Sequence, residues 1–294
     1  MRDTVQCTSG TARVVDRFDA LLPAEMATLA EEMGVRKVSM ENARTFALAV
    51  LAGAFIALGG VFATVVLAGA PALWWGAPRV LAGLVFSMGL ILVVVGGAEL
   101  FTGNNLIVMA WASGRVRTPV LLRHWAIVYV GNFVGAFGTA ILVFLAGLQT
   151  SGAGAFGVAA VVVAAAKVQL GWTQAVALGV LCNALVCLAV WLTYSARTTA
   201  DKILAIAPPI SAFVAAGFEH SIANMYFVPL GCLVATFDPG FLAAHDLAAR
   251  AAVITPAAFL VGNLIPVTLG NLIGGTLLVG GVYWFIYLRP RSVS

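Results

Sequence analysis

Of the 294 residues, 62% are hydrophobic and only 10% charged, with a net charge of +4 and a mean hydropathy of +1.02. Soluble domains carry roughly 25% charged residues, and no water-soluble fold hides this much apolar surface. A soluble enzyme, a nucleic-acid-binding protein and a secreted disulfide scaffold are therefore excluded. The apolar runs are continuous rather than alternating, which selects an all-α polytopic membrane protein over a β-barrel.

Residues 1–45 hold thirteen charges and no apolar core of a secretory leader, so they are expected to form a cytoplasmic N-terminal segment. Within it, Leu22, Met26, Leu29 and Met33 recur at helical spacing between Pro23 and Gly34, which predicts an amphipathic surface helix that stops at the glycine. A channel domain is expected over 46–288 and a short cytoplasmic tail over 289–294. Uncharged stretches at 45–78, 124–166, 168–196 and 251–288 each exceed the roughly 20 residues of a membrane helix. Two further stretches are each split by one carboxylate, Glu99 and Glu219. Read as interrupted spans, they bring the total to six, near 46–70, 80–113, 125–147, 172–195, 204–236 and 252–288. Six spans leave both termini on one side. The segments on that side hold 13 Lys and Arg against 3 opposite, which predicts a cytoplasmic (inner) membrane protein with both termini cytoplasmic.

The two interruptions resemble each other. Gly97-Ala-Glu-Leu-Phe-Thr-Gly-Asn104 and Gly217-Phe-Glu-His-Ser-Ile-Ala-Asn224 share the pattern G-x-E-x-x-x-[GA]-N. They fall in the second and fifth spans, the middle elements of two three-span halves, and Gly131-Asn132 to Gly135 is echoed by Gly270-Asn271 to Gly274. An odd number of spans per half predicts two inverted repeats with broken second and fifth helices around a central pathway. Irregular backbone at membrane depth belongs where it is packed in protein or lines a cavity, and the freed N–H groups suit an anion.

Ionisable groups inside spans are functional candidates. His220 stands at the second break. Glu99 and Glu219, with Asn104 and Asn224, are read as support for the breaks, the carboxylates accepting the freed backbone N–H groups. Lys167, at the outer end of the fourth span, either snorkels to the interface or lures anions above the pore. Thr102 and Asn183 could donate hydrogen bonds to a solute or bond their own helix backbone, and His124 is read as solvated. Phe86, Leu90, Phe213, Leu100, Phe101 and Val186 are the apolar residues that flank the breaks. No CxxC or metal-ligand spacing occurs, and neither a cofactor nor a metal is expected.

These motifs, together with Gly179-Val-Leu-Cys-Asn-Ala-Leu-Val-Cys-Leu-Ala189, resemble the formate/nitrite transporter family. The N-terminal stretch from Phe18 to Lys37 and the close Asn263-Leu-Ile-Pro-Val-Thr-Leu-Gly-Asn-Leu-Ile-Gly-Gly275 are most similar to its bacterial formate channel branch. The resemblance implies an aquaporin-like protomer, a homopentamer in the lipid bilayer, and passage of a small monovalent anion, formate before nitrite or hydrosulfide. It puts His220 and Thr102 at the central site, Lys167 at the outer basic position and Asn183 beside it. Phe86, Leu90 and Phe213 take the outer constriction and Leu100, Phe101 and Val186 the inner one. His220 is expected to present or donate a proton to the anion midway, the rival reading being a cationic ring that only attracts the anion. Gly103, where the family often has Ser or Thr, departs from the pattern.

Overall fold

A computed structural model describes residues 20–69 and 74–290; the earlier part of the N-terminal segment and residues 291–294 of the tail lie outside the described residues. Among these, every element is helical, and six helices are long and apolar enough to cross a membrane. The first half of the chain holds α1 (Pro23–Val38), α2 (Asn42–Ala68), α3 (Gly76–Gly96), a 3₁₀ turn (Gly103–Ile107) running into α4 (Val108–Ala112), and α5 (Thr118–Leu145). The second holds α6 (Ala155–Val168), α7 (Trp172–Ser195), α8 (Thr199–Ala216) and α9 (Ser221–Phe237). Short outer helices α10 (Pro239–Ala244) and α11 (Ala248–Ala251) lead to the long last helix α12 (Ala258–Tyr287).

The expected count of six spans stands, and the fourth, at 172–195, is matched residue for residue. The second and fifth spans are broken helices: α3 continues as the 3₁₀ turn and α4, and α8 continues as α9. One element went unread. The uncharged stretch after α5 contains a separate helix, α6, only 14 residues long. It is therefore α6, not the fourth span, that carries Lys167.

With α6 in place the two halves match in order, apart from the short α10 and α11, which have no counterpart in the first half. α1 and α6 each end in a Lys-Val pair, and Lys37 and Lys167 each precede the next long helix by five residues. The small-residue motifs let helices approach closely. A Cβ on Gly135 would overlap the Val50 carbonyl of α2, and one on Gly274 the Val180 carbonyl of α7. That close contact seats α5 on α2 and α12 on α7.

α1 differs from expectation in one respect. It does not stop at Gly34 but runs on to Val38. Gly34 is buried against Ile107 and Ala110, where an added Cβ would lie 3.1 Å from Ala110 Cβ. Here glycine marks a packing contact rather than a helix end. Met26, Ala27 and Ala30 bury against Met109 and Trp191, so α1 lies across the side of the molecule that carries both ends of the described chain, hereafter the terminal side.

Candidate functional site

Each break begins at a glycine with left-handed backbone. Gly97 (φ +81°) ends α3 and Gly217 (φ +76°) ends α8, a conformation that costs other residues about 1–2 kcal/mol. The chain then runs unhelical for a few residues, freeing N–H and C=O groups that must find partners. Two asparagines supply them. Asn132 Oδ1 of α5 accepts the Phe101 N–H (2.9 Å), and its Nδ2 donates to the carbonyls of Ala49 and Glu99 (2.7 and 2.9 Å). Asn271 of α12 repeats this at the other break, accepting the Ser221 N–H (2.9 Å) and donating to the carbonyls of Gly179 and Glu219 (2.8 and 2.9 Å).

The carboxylates therefore do not take the freed backbone N–H groups, contrary to the reading from sequence. Lys37 Nζ donates to both oxygens of Glu99 (2.8 and 2.9 Å) and to Asn104 Oδ1 (2.9 Å), while Asn104 Nδ2 donates to Glu99 Oε2 (2.7 Å). Lys167 Nζ donates to Glu219 Oε1 (2.8 Å) and Asn224 Nδ2 to Glu219 Oε2 (2.7 Å). Both glutamates are buried, and a buried carboxylate needs a full countercharge, which a peptide N–H does not provide. Lys167 thus neither snorkels nor stands as an unpaired lure.

Between the two pairs lie Thr102 and His220, both buried, with Thr102 Oγ1 2.9 Å from His220 Nε2. His220 is the N-cap of α9: its Nδ1 accepts the Ala223 N–H at 3.0 Å. Nδ1 therefore carries no hydrogen, the neutral ring holds its hydrogen on Nε2, and that hydrogen goes to Thr102 Oγ1. The threonine's own hydroxyl hydrogen is left for a third partner. An imidazolium would need a hydrogen on Nδ1 and would lose the cap. The geometry thus favours a ring that presents a hydrogen over one that gives up a proton.

Asn183 has a different task from the one expected. Its two amide hydrogens face Asn105 Oδ1 (2.8 Å) and the carbonyls of Asn271 (2.7 Å) and Thr102 (3.4 Å), which leaves none for a solute. It ties the two breaks together. Cys187 Sγ also donates to the Thr102 carbonyl (3.3 Å).

The space around these groups divides into three. A vestibule of about 390 Å³ opens on the side away from the termini, lined by Arg79, Phe86, Lys167, Phe213, Glu219 and His220 among others. A second, of about 260 Å³, opens on the terminal side, with Arg36, Lys37, Leu90, Glu99, Leu100 and Asn104 in its wall. Between them only about 10 Å³ remains, enclosed by Ile56, Phe86, Leu90, Leu100, Val186, Ile210, Phe213 and His220. Phe86 and Phe213 meet edge to face at 5.8 Å. Five of the six expected constriction residues line this block. Phe101 does not: its ring packs edge-on against Trp125 and Tyr129 of α5, away from the block.

Sequence reasoning missed Ile56, Ile210, Asn105, Asn263, Lys37 and Arg79. The matched Lys-Val endings were a usable signal for Lys37. The two isoleucines carried none, since nothing separates them from other apolar residues in a span. Arg79 is half-buried, stacks on Trp75 at 4.6 Å and donates to the Ala215 carbonyl at 3.3 Å. His124 is not solvated but buried, with Nε2 3.1 Å from Asn104 Nδ2.

Six spans, two broken helices and two charged-rimmed vestibules facing each other across a narrow, largely apolar block define a polytopic membrane channel protein. The chain belongs to the formate/nitrite transporter family, which residues 24–285 match. It is 46% identical over 277 residues to formate channel FocA of Escherichia coli strain K12, covering 94% of this chain and 97% of the relative. FocA of Haemophilus influenzae is 40% identical over 275 residues, 89% of this chain and 93% of that one. Among solved structures, a pentameric formate channel with formate bound superposes with a TM-score of 0.80 at 43% identity, covering 84% of this chain and 98% of the other.

Proposed function

We propose that this chain is a formate channel of the cytoplasmic membrane, assembled as a homopentamer with one pore per protomer, its terminal side facing the cytoplasm. In this reading the halves are inverted repeats in an aquaporin-like protomer, and the path runs from one vestibule to the other past Thr102 and His220. The observation that carries it is the hydrogen-bonded Thr102–His220 pair, 2.9 Å apart, set at the apolar block that separates two cation-bearing vestibules.

The energetics follow from that layout. A bare formate ion crossing the block must shed its water. The idealised cost is of order 20 kcal/mol, and several kcal/mol survive relaxation. Formic acid escapes most of that penalty. Arg79, in the vestibule away from the termini, gathers the anion at that mouth. The anion takes a proton from water, crosses the block as the acid and releases the proton beyond it. His220 holds Thr102 so that the threonine hydroxyl meets the solute's oxygen midway, inside the apolar block.

The test is flux into proteoliposomes of the purified protein, with formate, nitrite and hydrosulfide measured side by side. Formate is expected to move fastest. Formate flux equal to that of protein-free liposomes would overturn the assignment.

A further inference from the structure

The two breaks share their clasps and ion pairs, but the group that stands beside each ion pair differs. Asn224 Nδ2 donates to Asn263 Oδ1 (2.7 Å), and Asn263 Nδ2 lies 3.4 Å from Glu219 Oε2. At the matching place in the other half stands His124. Its Nε2 lies 3.1 Å from Asn104 Nδ2 and 3.7 Å from Glu99 Oε2. An amide that cannot titrate thus faces an imidazole, the side chain whose unperturbed pKa lies nearest physiological pH.

We propose that His124 makes the terminal-side half of the pore respond to the pH on its own side: protonation of the ring draws Glu99 away from Lys37 and adds a positive charge beside that vestibule. The proposal rests on the anion-channel reading given above.

The hydrogen-bond bookkeeping shows how. With the ring neutral and Nε2 unprotonated, one hydrogen of the Asn104 amide goes to His124 and the other to Glu99 Oε2. Asn104 Oδ1 accepts from Lys37. A proton arriving from the vestibule, whose wall includes Glu99 and Asn104, bonds to Nε2. The Asn104 N–H then faces another donor, so that bond breaks, and Glu99 Oε2 becomes the near acceptor for the imidazolium. The carboxylate is now shared between two cations. Lys37 is freed toward the vestibule, and the cluster gains one positive charge. Deprotonation returns the proton and reverses the change.

Other charged groups on the elements packed around α5 do not compete for the ring. On α1, Arg36 pairs with Glu32 at 3.8 Å and Glu31 with Arg115 at 2.8 Å. Glu41 and Arg44 at the start of α2, and Arg123 beside the histidine, are exposed. Tyr129, five residues further along α5, bonds Thr268 at 2.8 Å, and α4 carries no titratable side chain.

The experiment compares wild type with His124→Asn, which installs the counterpart's side chain. Tracer exchange at equal anion concentrations is measured in low salt, with the terminal-side pH stepped from about 8 to about 5.5 and the other side held fixed, a range that brackets the unperturbed imidazole. The readout is the ratio of wild-type to variant flux, because pH effects common to both, on the anion and on His220, divide out. The ratio is expected to rise several-fold on acidification. The reciprocal variant Asn263→His should gain a dependence on the pH of the opposite side. A ratio that stays constant across the range, or an Asn263→His protein that conducts without any new pH dependence, overturns the proposal. Formate and nitrite are run in parallel. A failed substrate assignment would then show as absent wild-type formate flux, while the ratio for nitrite still tests His124.

Discussion

The lysines of the two ion pairs do structural work that a surface cation would not. Lys167 and Glu219 are both largely buried, with side chains 15% and 6% exposed. Removing one member of such a pair leaves a bare charge in the interior, at a cost of about 3–5 kcal/mol. Lys167→Ala should therefore lower thermal stability in detergent by several degrees or prevent assembly, and an unchanged melting temperature would contradict the buried pair. The charge that does reach for anions on that side is Arg79, whose described contacts are an indole ring and a carbonyl rather than a carboxylate. Arg79→Gln should leave the fold intact and slow anion flux at low ionic strength. The difference should shrink toward high salt, since exposed charges are screened over about 10 Å at 0.1 M. Flux equal to wild type at every salt concentration would remove Arg79 from this role. Sequence pointed to Glu99, Glu219, Asn104 and Asn224 through the repeated motif but not to their partners. Lys37 and Lys167 lie 62 and 52 residues from the carboxylates they meet, and only the fold brings them together.

Helices were legible wherever charge punctuated them. The span at 172–195 lies between Lys167 and Arg197, so its limits were written in the composition. α6 was invisible for the opposite reason: the whole stretch 124–166 is uncharged, and its break is made by Gly147, Gly152 and Gly154 with positive φ. The glycine motifs had a second meaning that spacing alone did not reveal, since they set how closely helices pack. Gly135→Ala and Gly274→Ala each drive a methyl into a backbone carbonyl of the facing helix, and overpacking of this kind costs about 1–3 kcal/mol. Gly138, on the same helix as Gly135, has no atom within 4 Å of an added Cβ. Gly138→Ala should be neutral or slightly stabilising. Melting temperatures of the three variants check the packing; equal effects at Gly135 and Gly138 would contradict it. In α12 two π-helical stretches, Ala258–Leu264 and Ile273–Gly281, hold Asn263 and Gly275. Gly275 leaves the space in which Asn105 and Asn183 meet. No periodicity argument finds such stretches, because they break the 3.6-residue repeat.

At the scale of the molecule, two copies of one break are held at matching positions, each with a cation, a carboxylate and an asparagine clasp, and the copies meet at Thr102 and His220. The membrane class, the span count and the doubled motif were plain from composition and pattern. The blocked centre was not, because its wall is drawn from α2, α3, α7 and α8 as well as from the breaks. In the mechanism proposed for that centre, His220 is a neutral cap and hydrogen donor and formate crosses as its acid. Formate uptake and luminal pH recorded together in proteoliposomes, for wild type and His220→Asn, test this most directly. Asparagine caps a helix and donates an N–H but does not titrate. His220→Asn is expected still to move formate together with protons, as the wild type does. Formate movement in His220→Asn without the accompanying change in luminal pH would show that the histidine itself supplies the proton and would contradict the account.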